Sequence, residues 1–141
     1  MADALILIVE DNLKNLKLIR DLLQFKGYQT IEAETAEAGI DLARERRPAL
    51  ILMDIHLPGM DGRKAMKALK TDSATREIPI IALTASAMKG DREALLAEGF
   101  DGYIAKPIDI KEVPKTVENY LRRKPGNSRR SRTGAARDES D

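Results

Sequence analysis

Apolar residues along the chain fall into two alternating patterns. Short uninterrupted runs, Leu5 to Val9 and Leu50 to Met53, are too brief for core helices, so they predict strands buried on both faces. Between such runs the apolar positions spread to helical spacing. Leu16, Ile19 and Leu23 recur in this way with lysines and arginines on the other faces, and Gly27 supplies a stop. Tyr28 to Ala33 then reads as a second short strand. Ala36, Ile40 and Ala43 mark one face of a helix that ends before Pro48, and the third strand follows at Leu50. Further on, Gly62 to Lys70 predicts a helix, Ile78 to Leu83 a strand, and Asp91 to Glu98 a helix stopped by Gly99. A fifth strand is expected over Gly102 to Ala105 and a last helix from about Asp109 to Arg122. Proline is tolerated only in the first turn of a helix, so Pro114 makes that last helix begin late.

Five strand–helix units with uniformly apolar strands imply a parallel sheet covered on both faces, an α/β doubly wound domain. A closed eight-fold barrel needs more than 141 residues. No internal repeat stands out beyond the alternation itself. From Pro125 onward the chain is Gly, Ser, Arg and Asn with almost nothing apolar. The expected organisation is therefore one folded domain over 1–123 and a disordered basic tail over 124–141.

Composition narrows the chemistry. The absence of cysteine excludes disulfides, thiol catalysis and Cys-based zinc sites, and a single histidine excludes a His-rich metal site. Any metal must sit on oxygen ligands. The first residues, MADALILIVED, are acidic where a secretory signal would be basic, and the apolar run is too short to span a membrane, so a cytoplasmic protein is expected. The net charge of +1 conceals an asymmetry: Arg122, Arg123, Lys124, Arg129, Arg130, Arg132 and Arg137 oppose Asp138, Glu139 and Asp141. Those last residues carry +4 and the remainder −3. The tail lacks interleaved aromatics and any helix-turn-helix pattern, which favours a solvated extension over a nucleic-acid-binding element.

In sheets of this kind ligands bind beyond the carboxyl ends of the strands, near the point where strand order reverses. Glu10 and Asp11 follow the first strand, Asp54 the third, Thr84 the fourth and Lys106 the fifth. With the order 2-1-3-4-5 the first and third strands are neighbours, and three carboxylates converge. At ~5 Å and an effective dielectric near ~20, each like-charge pair costs about 3 kcal/mol. A hard divalent cation offsets that repulsion, and magnesium in particular takes a couple of carboxylates plus waters and phosphate oxygens. Lys106 adds a compact positive charge for a phosphoryl oxygen, and Thr84 adds a hydroxyl. Together these groups describe a phosphate-handling site with a carboxylate as candidate nucleophile.

LILIVEDN, LILMDIHLPGMDG, IPIIALTASAM and YIAKPI stand in the order and spacing of the receiver domain of two-component signalling, over about residues 4 to 122. The chain resembles this CheY-like family. Its EDN start, Asn15 and TASAMKGD segment are most similar to the family's single-domain regulators. The resemblance implies a flavodoxin-like (βα)5 fold with a five-stranded parallel sheet in the order 2-1-3-4-5. It implies Asp54 as phosphoacceptor, taking the phosphoryl group from a sensor histidine kinase or histidine phosphotransfer protein. Asp11 would ligate Mg2+ (or Mn2+) directly, Glu10 would act through water, and the backbone carbonyl of His56 would be the third protein ligand. Lys106 would contact the phosphoryl group, and Pro107 follows it where the family usually has a cis peptide. Thr84 and Tyr103 match a switch pair, in which the hydroxyl moves onto the phosphoryl group and the ring rotates inward. The readout would be a reshaped helix 4, strand 5 and helix 5 face that docks a downstream protein, with no DNA-binding domain and a monomer or weak dimer as the assembly.

Taken singly, these residues have plainer readings. Strand-end carboxylates are often solvated loop residues, Thr84 alone would serve as a helix N-cap, and Tyr103 alone as a half-buried packing residue. Asn15 reads as a residue that caps or solvates the first helix. The His56 side chain could modulate phosphoryl lifetime alongside Ser86, or it stands exposed while the residue lends only its carbonyl. A phosphatase working through an aspartyl-phosphate would need a second Asp two positions after the nucleophile, where this chain has His56. A nucleotide- or flavin-binding module would need a glycine- or hydroxyl-rich loop after the first strand, where EDNLKN is acidic. A vestigial, purely structural domain is disfavoured because all five key positions are intact. The expected protein thus catalyses its own phosphorylation and dephosphorylation without being a multiple-turnover enzyme.

Overall fold

A computed structural model describes residues 4–85 and 88–122. Ser86 and the expected tail over 124–141 lie outside the described residues. Strands and helices alternate as β1 (Leu5–Val9), α1 (Leu13–Phe25), β2 (Gln29–Ala33), α2 (Ala36–Arg46), β3 (Leu50–Asp54), α3 (Gly62–Lys70), β4 (Ile80–Thr84), α4 (Lys89–Glu98), β5 (Gly102–Ala105) and α5 (Glu112–Arg122). The five strands form one parallel sheet in the order β2-β1-β3-β4-β5.

Side chains alternate across a strand, so each central strand feeds two cores. Leu7, Val9, Ile51, Met53, Ile80 and Ala82 face α2, α3 and α4, where Ile40, Met66, Leu69 and Leu95 complete one buried layer. Ile6, Ile8, Leu50, Leu52, Ile81, Leu83 and Ile104 face the other way onto Leu16, Ile19 and Leu23 of α1 and Val113, Val117 and Leu121 of α5. Burial on both faces is why β1, β3 and β4 read as continuous apolar runs. β2 is different. It pairs with β1 alone among the described residues and is half-exposed, which admits Gln29, Thr30 and Glu32, so the expectation of uniformly apolar strands fails at this edge.

Element ends follow local hydrogen bonding. Gly27, with φ of +95°, lets the chain turn back so that the Tyr28 amide reaches the Leu23 carbonyl at 3.1 Å, and β2 starts one residue later than expected. β4 starts at Ile80, two residues later than expected. The Ile78 amide is committed to the Thr75 carbonyl in the preceding turn and Pro79 has no amide to give. α4 instead starts earlier, at Lys89, without a side-chain cap from Met88. α5 begins at Glu112, after a turn in which Asp109 accepts the Lys111 amide at 2.8 Å. Pro114 is therefore in the first turn, where its missing N–H has no intrahelical acceptor to lose.

Candidate functional site

The sheet register gathers the reactive groups at its carboxyl edge. Val9 of β1 is paired with Met53 of β3, so Glu10 and Asp54 are the next positions on adjacent strands. Both continue the row of side chains that contains Ile8 and Leu52, and Lys106 continues the row that contains Ile104. Glu10 is fully buried and Asp54 is 2% exposed, while Asp11 is exposed at the rim. Carboxylate oxygens of Glu10, Asp11 and Asp54 all lie within 4.8 Å of one another.

Lys106 reaches into this cluster from β5. Its Nζ lies 3.0 Å from Asp54 Oδ2, as a hydrogen-bond donor, and 3.0 Å from Glu10 Oε1. The second approach is out of hydrogen-bond alignment, so Oε1 is charge-compensated yet buried without a hydrogen bond among the described residues. The other oxygens are held by backbone: the Asn12 amide donates to Glu10 Oε2 at 3.1 Å and the His56 amide to Asp54 Oδ1 at 2.9 Å. Burial, followed by the neighbouring Asp54 carboxylate, pushes the Glu10 pKa up to about 7, against the opposing pull of the Asn12 amide and Lys106. Burial works against the Lys106 ammonium, but its contacts with Asp54 and Glu10 outweigh it and hold its pKa above the ordinary lysine value. One ammonium therefore serves more negative charge than it cancels. Three converging carboxylates, one of them Glu10 with a buried oxygen that accepts no hydrogen bond among the described residues, fit a hard divalent cation.

The remaining expected residues sit around this centre. Thr84 is buried at the end of β4, one strand from Asp54, in the row that contains Ala82. Tyr103 is on β5 opposite Ala82, half-buried against the α2–α3–α4 core, with Ala105 next along its row. In the register, Ala82 is the β4 partner of Tyr103 and Thr84 the partner of Ala105. His56 has an exposed side chain, and its backbone amide, as given above, is what orients Asp54. The cap of α1 is the side chain of Asn12, whose Oδ1 accepts the Asn15 amide at 3.0 Å, so Asn15 contributes its backbone rather than a capping side chain. The Lys106–Pro107 peptide is cis.

Two residues escaped the sequence reading. A Cβ on Gly62 would lie 2.2 Å from the Asp54 carbonyl oxygen and 2.7 Å from Ile55 Cα, so a bare α-carbon is required where α3 abuts the end of β3. The Gly62 amide also donates to the Ile55 carbonyl at 3.1 Å, closing the loop that carries His56. Glycine within the LPGMDG segment is a visible signal, but only the tertiary contact gives it a reason. The second is Arg92 of α4, whose Nη1 donates to the Tyr103 hydroxyl at 3.3 Å. No local pattern in the sequence links the two.

The response regulator receiver domain model matches residues 6–118, and the chain belongs to that family, the receiving half of two-component signal transduction. Within it, the chain is 49% identical over 116 residues to the polar-differentiation response regulator DivK of Brucella anthropi, covering 82% of this chain and 94% of that one. The solved receiver domain of the sensor histidine kinase PA1611 from Pseudomonas aeruginosa, which holds a magnesium ion coordinated in its active site cleft, is 36% identical. It aligns with a TM-score of 0.75 over 88% of this chain and 98% of its own. The chemotaxis response regulator CheY4 of Vibrio cholerae is 26% identical with a TM-score of 0.78, over 83% and 98%. Among the described residues, no helix is long and apolar enough to cross a membrane.

Proposed function

We propose that the chain is a phosphoryl-accepting switch with Asp54 as acceptor, and that it signals by docking to another protein. The observation that carries this reading is the shared position of the Lys106 ammonium, 3.0 Å from both Asp54 and Glu10 beside a triad of carboxylates. One Asp54 oxygen forms the new P–O bond as the P–N bond of a histidine donor breaks, and the imidazole leaves. Asp54 is held for this by the His56 amide on one oxygen and by Lys106 on the other. Lys106 then follows the transferring oxygens, which carry the charge that phosphoryl transfer must stabilise. Glu10, Asp11, Asp54 and the His56 carbonyl would hold Mg2+ or Mn2+. A bound divalent ion supplies neutralisation of the carboxylates and of the incoming phosphoryl charge. Magnesium in the PA1611 receiver domain supports the assignment. Like a receiver, the chain would turn over only its own phosphoryl group.

In the same reading Thr84 moves onto the phosphoryl group and Tyr103 turns inward, reshaping the α4–β5–α5 face for a downstream partner. The writer is a sensor histidine kinase or a histidine phosphotransfer protein, the compartment is the cytoplasm, and the assembly is a monomer or weak dimer. Residues 1–123 form the receiver unit and 124–141 an extension outside it. Magnesium-dependent modification by acetyl phosphate, followed by intact mass, tests the chemistry. The native chain gains one phosphoryl group and Asp54→Asn gains none; equal gain in both would refute the assignment.

A further inference from the structure

We propose that Arg92 is a positioning residue for Tyr103, clasping the ring in its outward arrangement and so setting how often the unphosphorylated chain visits its active form. This inference rests on the reading of Tyr103 as a switch. Arg92 sits one turn into α4, beside the sheet edge where Tyr103 is half-buried on β5. Its guanidinium engages the side chain twice. Nη1 donates to the phenolic oxygen at 3.3 Å, and Cζ lies 5.8 Å from the ring centroid, within cation–π range. Both contacts depend on where the ring is. A rotation that carries the ring and its hydroxyl off the guanidinium loses both contacts together, so the clasp favours the present arrangement alone.

A group that contacts only one of two states shifts the equilibrium by the full worth of its contacts. For a partly buried cation–π contact with a hydrogen bond, that is about two- to fivefold. The effect does not pass through the acceptor pocket, where Lys106 and the carboxylates are, so Arg92 sets the resting level of the switch without touching the chemistry. Because α4 carries Arg92 and also forms part of the proposed readout face, a partner that takes hold of the guanidinium would release Tyr103. Partner binding and ring rotation are thereby coupled through one side chain, and the coupling is reciprocal.

The test uses 3-fluorotyrosine incorporated into the full chain and read by 19F NMR, with Tyr28, Tyr103 and Tyr120 as the three signals, assigned by single Tyr→Phe variants. Spectra are recorded in Mg2+ alone and with beryllium fluoride as the acyl-phosphate mimic. In the native chain the Tyr103 signal moves on loading, and Arg92→Gln in Mg2+ alone moves it part of the way, for a two- to fivefold larger inward population. Arg92→Lys, which keeps a cation near the ring, restores much of the native position. Acetyl phosphate modifies Asp54 in Arg92→Gln at least as fast as in the native chain. If Tyr103 in the native chain does not respond to loading, the switch reading itself fails. If it responds but sits at the same position in Arg92→Gln and the native chain, the clasp is refuted. A Tyr103 shift in Arg92→Gln that Arg92→Lys leaves unrestored also refutes it, since loss of α4 packing would then be the cause.

Discussion

Two lysine–carboxylate contacts mark opposite ends of the sheet, and they are built on opposite principles. At the amino edge of β4, Lys70 of α3 donates to Asp101 Oδ2 at 2.8 Å and to the carbonyls of Ile78 at 3.0 Å and Arg76 at 3.4 Å. Asp101 Oδ2 also accepts the Ile80 amide at 2.8 Å. Each strong donor there meets an acceptor, and the group ties the end of α3 to the starts of β4 and β5. At the carboxyl edge, Lys106 divides one ammonium between Asp54 and Glu10, and Glu10 Oε1 stays buried without a hydrogen bond. The satisfied group holds the fold. The unsatisfied one stores a demand for positive charge that a divalent cation would meet, and the sheet between them keeps the two apart.

Three substitutions sharpen or break that contrast. Lys106→Met is expected to have the largest effect, slowing acetyl-phosphate modification of Asp54 by roughly 10²-fold or more, because it removes charge stabilisation in the transferring state. It should cost little unfolding free energy, since one carboxylate can then take up a proton; a urea melt beside a modification time course separates the two effects. A stability loss with the rate unchanged would place Lys106 with Lys70 as a structural residue.

Glu10→Gln probes the stored demand through pH. The folded pKa of Glu10, about 7, lies above its ordinary value of 4.5, so the folded chain binds this proton more tightly than the unfolded one. The resulting stabilisation is complete below about pH 4.5 and disappears as pH rises through about 7. Without divalent metal, the native chain should thus lose about 1–3 kcal/mol from this group between pH 5 and 8. Glu10→Gln flattens that slope, and Mg2+ raises the melting temperature of the native chain more at pH 8 than at pH 6. Parallel pH profiles of native and variant chains would show that the pocket is as well satisfied as the Lys70 group.

Asp101→Ala has the smallest effect on function and a modest one on stability. It strands the Ile80 amide and one lysine contact at a partly solvated site, for an expected loss of about 1–2 kcal/mol in a urea melt. Acetyl-phosphate modification of the folded variant should proceed at the native rate. A large fall in that rate would mean that the two ends of the sheet are mechanically coupled.

The contrast also separates what was legible in the sequence from what was not. Strand identity at β1, β3 and β4 was legible because burial on both faces leaves an unbroken apolar run, and period-two alternation then carries Glu10, Asp54 and Lys106 on from the rows of Ile8, Leu52 and Ile104. The edge strand β2 and the starts of β4, α4 and α5 were less legible. Those boundaries depend on which acceptor takes each amide, as at Ile78 and Lys111.

By itself the sequence determined the alternating strand–helix order, the acidic, amine and hydroxyl groups at the strand ends, and the family to which they point. Only the tertiary structure decided that one Lys106 ammonium stands 3.0 Å from two carboxylates, that Gly62 must lack a side chain beneath Asp54, and that Arg92 meets Tyr103 across the α4–β5 seam. The physical reason is range. Periodicity and turn chemistry act between near neighbours along the chain, whereas charge sharing, close backbone approach and cation–π contact join residues that packing alone brings together.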